Sequence, residues 1–252
     1  MNDTARFALI QRDRESHDPM ALARALAAVR ETPVQDQVLA AKRAWGIVAD
    51  DLPESEARAL GRALGASGVE CAVGPTGALA ELPALEAVRT VDALPPAHPI
   101  LIAVAGLTIT APTTRAEAKG PSGAQKAASA AIMMTTGLPI RIGGRKRPVE
   151  KTHDEPSLVF YADLYYANPP RGVRIDASNF DFSCLETRML YQAQGNLKLL
   201  IGDLAGAAPE AWTNHGARVL LEGRPIRTMG YATLDDLERE ARWLLTLRGS
   251  GA

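Results

Sequence analysis

At 252 residues the chain is long enough for one large or two modest domains with a packed core. Its composition, 46% hydrophobic and 23% charged with a net charge of −1, is ordinary for a soluble globular protein, and no global field draws it toward nucleic acid or an acidic membrane surface. No stretch approaches the roughly 20 apolar residues of a membrane-spanning helix, and the N-terminal residues lack the apolar core of a secretory signal. Cys71 and Cys184 lie far apart without metal-type spacing, so the expectation is a cytoplasmic protein without a disulfide, metal or cofactor.

The apolar run at residues 7–10 reads as a strand, followed by a loop ending in Asp18-Pro19 and a helix over 20–29. Asp18 is placed to cap that helix, with Pro19 at its first position, where a missing N–H costs nothing. Thr32-Pro33 opens a second helix to about Lys42, with Gln35 as capping-box partner. Trp45-Gly46-Ile47-Val48 reads as a strand, residues 53–67 as a third helix with Ala57, Leu60, Ala63 and Leu64 on one stripe, and residues 69–73 as a closing strand after Gly68.

This β-α-α-β-α-β order over residues 5–75, with the joint at Thr32 and Glu54-Ser55-Glu56-Ala57 leading through Leu60 and Leu64 into Gly68, resembles the C-terminal domain of the bacterial ribosomal stalk protein. That domain binds proteins, so the resemblance implies a docking module. The stalk family's lysine-rich helical face is reduced here to Lys42 and Arg43, and no binding residue carries over.

Residues 76–98 hold turn and proline clusters and read as a linker with one short helix near 82–88. The second region, 99–252, opens with a strand over 100–110, then a small-residue helix over 124–134 and a short strand at 140–142. Residues 157–166 and 173–177 read as a hairpin around the Asn168–Gly172 turn. A helical pattern interrupted near Gly195 covers 185–204, residues 217–221 read as a strand or buried segment, and a helix over 233–247 is capped by Thr233 with Asp236 three residues on. The fold class expected is α+β: a small N-terminal α/β domain at 1–75, a linker at 76–98 and a larger mixed α+β domain at 99–252.

Three constellations carry chemistry. Gly120, Ser122, Gly123 and Lys126 precede a helix, and such a loop can hold an anion or phosphate, although the spacing is not that of a nucleotide-binding P-loop. Arg141, Arg145, Lys146, Arg147 and Lys151, offset by Glu150, place a charge of +4 within eleven residues and form a possible phosphate-contacting patch for nucleic acid. Tyr161, Tyr165 and Arg171 surround the hairpin with residues favoured at interfaces. His17, His98, His153 and His215 show no metal spacing, and Ser183-Cys184 lacks a nucleophile elbow; Phe180, Phe182 and Cys184 alternate as core residues. Asp163, Asp176 and Asp181 read as solvated strand carboxylates rather than an acid–base pair.

With no catalytic motif, the leading expectation is a non-enzymatic protein-interaction or scaffold protein with a protein partner or a second copy. The alternatives are a small-ligand or phosphate binder, or an enzyme, using the Gly120–Lys126 loop, and a nucleic-acid binder using the basic patch.

Overall fold

The computed structural model of the protein describes residues 5–14, 19–117 and 149–250. Its architecture is mixed α+β, as the sequence indicates, with one three-stranded and one five-stranded sheet. The chain begins with β1 (Phe7–Gln11), α1 (Pro19–Arg30), α2 (Val34–Lys42), β2 (Ile47–Leu52), α3 (Glu54–Ala66) and β3 (Cys71–Pro75). β1 is central in this sheet and antiparallel to both neighbours, so Leu9 faces Ala49 on one side and Val73 on the other.

The leucine stripes explain the packing here. Leu9 on β1, Leu22 and Leu26 on α1, and Leu60 and Leu64 on α3 are all buried in one apolar cluster. Fully burying one such side chain contributes about 2 kcal/mol. Gly68 takes a φ of 81° and stops the chain just after α3, a conformation that costs a residue without Cβ little. The cap expected of Thr32 does not form. Pro33 stands before α2, and the Thr32 hydroxyl accepts instead from Gln37 Nε2 at 3.0 Å. Asp18 lies outside the described residues.

The second sheet contains β4 (Leu85–Val88), β5 (Leu101–Glu117), β6 (Val149–Tyr166), β7 (Arg171–Asp176) and β8 (Trp212–Thr213), in the order β4-β7-β6-β5-β8. The expected hairpin is β6–β7, antiparallel, with Asp163 opposite Arg174. The short helix expected near 82–88 is instead the edge strand β4, which runs parallel to β7 with Leu85 against Gly172. A Cβ on Gly172 would stand 2.8 Å from Leu85 Cδ2, so the glycine admits the added strand.

Helices α4 (Ala193–Ala207), α5 (His215–Glu222) and α6 (Leu234–Ser250) complete the described elements. Gly195 does not interrupt α4. It lies inside the helix, and a Cβ there would come within 2.7 Å of Leu190 Cδ1, so it serves close packing. The break comes earlier, where Glu186 adopts a φ of 49°. The strand or buried segment expected over 217–221 is a largely buried helix, α5, because Asn214 caps its start through Ala217 N and Gly223 ends it at a φ of 70°. α6 forms as expected, with Thr233 and Asp236 exchanging a reciprocal pair of bonds at 3.3 and 3.1 Å.

The chain divides into two compact units, Met1–Leu107 with Leu158–Ala252, and Thr108–Ser157. Residues 76–98 lie inside the first of these units. Within the first unit, α6 binds backbone before and within that segment. Trp243 Nε1 donates to Gln11 O at 2.7 Å, Arg239 Nη2 to Ile47 O at 2.8 Å and Arg242 Nε to Ala80 O at 3.0 Å. In the second unit the described residues are the outer parts of β5 and β6. No helix among the described residues is long and apolar enough to cross a membrane.

Candidate functional site

The end of β8 builds the centre of the site. β8 pairs with β5 only through Leu101–Trp212 and Ile102–Thr213, and Asn214 N then donates to Ile102 O at 3.1 Å. From there the side chain of Asn214 replaces the missing strand. Its Oδ1 accepts from Val104 N at 2.8 Å and its Nδ2 donates to Val104 O at 3.1 Å. The same Oδ1 accepts from Ala217 N at 2.8 Å, which starts α5. One carboxamide thus extends a ladder and caps a helix. Close approach of the two elements requires Gly216, since a Cβ there would lie 1.9 Å from Val104 O.

Asn214 also belongs to a buried polar cluster with Tyr231 and Glu240. Tyr231 Oη accepts from Gly216 N at 2.9 Å and from Asn214 Nδ2 at 2.8 Å, and donates its proton to Glu240 Oε2. Glu240 Oε1 accepts from His215 N at 3.0 Å. Burial pushes the Glu240 carboxyl above its usual range, against the pull of the donors from Tyr231, His215 and Asn214. Burial and the neighbouring Glu240 likewise drive the Tyr231 phenol well above its ordinary value. Both carboxylate oxygens are engaged by protein donors, so Glu240 acts as a fixed anchor of the site.

The turn between α2 and β2 supplies the facing wall. Trp45 and Gly46 take φ values of 45° and 81°, the first a left-handed conformation that is costly for an aromatic residue. The surroundings enforce it. Trp45 stacks on Tyr231 with ring centroids 4.3 Å apart, and a Cβ on Gly46 would lie 1.9 Å from Trp243 Cδ2. Between this turn, the α5 start and α6 lies a cavity of about 470 Å³. Trp45, Met229, Trp243 and Glu240 border it together with the cationic Arg14, Lys42 and Arg218.

The sites read from sequence lie elsewhere. Gly120, Ser122, Gly123, Lys126, Arg141, Arg145, Lys146 and Arg147 fall outside the described residues, and Lys151 is on β6. Over residues 160–166 of β6 both faces are covered: Phe160, Ala162, Leu164 and Tyr166 are buried, and so are Asp163 and Tyr165 on the opposite face, while Tyr161 is half-buried against the core. Tyr165, expected at a partly exposed interface, is therefore a core residue. Arg171 pairs with Glu86 of the adjacent β4 at 2.5 Å.

The three aspartates do not converge. Asp163 is held by Arg174 through two bonds of 2.7 Å, and Arg174 also reaches Glu238 at 2.9 Å. Asp176 closes a turn with Ser178 and Asn179, and Asp181 Oδ1 accepts from Ser183 N. Phe180 and Phe182 enter the core as their alternation indicates, but Cys184 is exposed. His215 begins α5 rather than sitting in a turn, and its Nε2 lies 2.7 Å from Thr228 O. Among the described residues, no group of three or more His, Cys, Asp or Glu side chains could hold a metal ion.

The sequence reading passes over Asn214, Arg218, Tyr231 and Glu240. One signal was available. Leu237, Glu240, Ala241 and Leu244 share the i, i+3, i+4, i+7 stripe of α6, so a carboxylate stands among the core positions. Compared with known proteins, the chain matches no family, no curated protein and no solved structure.

Proposed function

We propose that the protein is a small-molecule-binding protein, with its site in the cavity between the Trp45–Gly46 turn and the start of α5. The supporting observation is the combination of a concave space of about 470 Å³ with a buried, fully hydrogen-bonded carboxylate on its lining and a left-handed tryptophan in its wall. That volume lies within the range of small-ligand pockets, which pair apolar walls with a few fixed polar groups. Thermal melting against a library of small metabolites tests the reading. A ligand at one hundred times its Kd raises stability by about 2.7 kcal/mol. The shift is expected in the native chain and not in Thr228→Trp, which adds bulk from an exposed lining position. A stabilising ligand that shifts both proteins equally places the site elsewhere.

A second reading, that the protein docks a protein partner, is favoured by residues 189–191 rather than by the β6 tyrosines. Met189, Leu190 and Tyr191 are 56%, 52% and 106% exposed and consecutive, an apolar patch of the kind that marks interaction sites. The docking role implied by the stalk-domain likeness of residues 5–75 points the same way. Leu190→Ser with Tyr191→Ser is expected to abolish association in cross-linking and light scattering with circular dichroism unchanged; retained association refutes this reading.

A further inference from the structure

The cavity's charge is unbalanced in a way that defines its ligand, granted the reading that it is a ligand site. Among the described residues three cationic side chains border it, against the carboxylate of Glu240. Glu240 accepts from Tyr231, Asn214 and the His215 backbone, and none of the three cations bonds to it. Lys42 and Arg218 form no ion pair among the described residues. Arg218 donates from Nη2 to the backbone oxygen of Arg14 at 3.3 Å, which fixes its guanidinium on the cavity wall. Arg14 packs its guanidinium over the Trp212 ring at 4.0 Å.

The apolar part of the lining centres on two indoles, with His215 and Thr228 beside them. Trp45 is fixed by its stack on Tyr231, and Trp243 is held by its bond to Gln11 O and by contact with Gly46. Met229, 1% exposed, packs at the back of this wall. We propose that the cavity binds a small aromatic acid, its anionic group on Arg218 and Lys42 and its ring system between the tryptophan walls and Met229. The anion meets the guanidinium of Arg218 and the ammonium of Lys42, and the rings replace water on the indole surfaces. Charge-assisted bonds to guanidinium are among the stronger polar contacts, so the acid group sets specificity.

Two fluorescent probes with one ring system separate the acid requirement from simple apolar binding. 1-Anilinonaphthalene-8-sulfonate carries the anion, and N-phenyl-1-naphthylamine lacks it. Titration of the full chain is expected to give saturable one-site binding of the sulfonate, with a Kd about ten-fold or more below that of the amine. Arg218→Gln is expected to weaken the sulfonate about ten-fold and leave the amine unchanged. Lys42→Gln, at an exposed rim position, is expected to weaken the sulfonate about three-fold. It keeps the test valid if melting shows Arg218→Gln to be misfolded. Equal affinity for both probes, or no effect of either variant on the sulfonate, overturns the acid preference while the cavity stands as a ligand site. Binding of neither probe overturns the cavity reading and this inference with it.

Discussion

Replacing Asn214 with leucine tests whether one side chain joins β5 to α5. The carboxamide is fully buried and bonded to Val104 N, Val104 O and Ala217 N at 2.8, 3.1 and 2.8 Å. Leucine approximates its volume and removes these bonds together with the donations to Tyr231 Oη and Glu240 Oε2. Loss of an N-cap costs about 1 kcal/mol. Each of the two strand groups left buried without a partner costs a further 1–3 kcal/mol or so. The expected destabilisation is therefore about 4 kcal/mol, or a Tm lower by roughly 10 °C in a chain of this size. Circular dichroism melts and urea titration measure it directly. Asn214→Asp supplies the discriminating arm. It keeps both accepting bonds, loses the donation to Val104 O and Tyr231, and sets a second carboxylate beside Glu240. Its loss relative to the native chain is expected to be smaller at pH 5 than at pH 8, because a buried acid next to Glu240 binds its proton more tightly when folded. A deficit for leucine within about 1 kcal/mol, with no pH dependence for aspartate, refutes the joint role.

Two further outcomes follow from the ionisable groups. Asp163→Ala strands Arg174 with only the half-exposed Glu238 and is expected to cost about 3 kcal/mol in urea titration, whereas Asp203→Ala, which breaks the exposed pair with Arg188, is expected to leave the midpoint unmoved. Equal effects would refute the importance of burial. Glu240 has a folded pKa above its unfolded one, so folding takes up a proton between the two values. Its contribution is complete below the unfolded pKa and is lost as pH rises through the folded one. Melts from pH 4 upward are expected to show this decline reduced in Glu240→Gln. A native-like pH profile in that variant would remove Glu240 from the account.

Helix periods, caps and turn residues were legible because they act over a few positions. The stripe Ala57, Leu60, Leu64, the stop at Gly68, and the Thr233–Asp236 box all appear where the residues place them. The hairpin β6–β7 was equally readable, since alternation and a proline turn are local signals. Misreadings occurred where a residue served a neighbour distant in sequence. Gly172 and Gly195 looked like turn and breaker, yet each makes room for a side chain, Leu85 in one case and Leu190 in the other. The alternation on β6 was real, but only packing could show that the face with Asp163 and Tyr165 is also covered.

The cavity lay beyond sequence reading for the same reason. Its walls come from residues near 14, 42–46, 215–230 and 240–243, and the bond that joins two of them, Trp243 to Gln11, spans 232 positions. A sequence specifies each of these residues and the local element that carries it. Which of them meet is decided by how sheets and helices pack, because burial rewards total apolar contact irrespective of distance along the chain. Glu240 shows both halves of this. Its place on the apolar stripe of α6 is written in the sequence, while its partners Tyr231, Asn214 and the His215 backbone are gathered only by the fold.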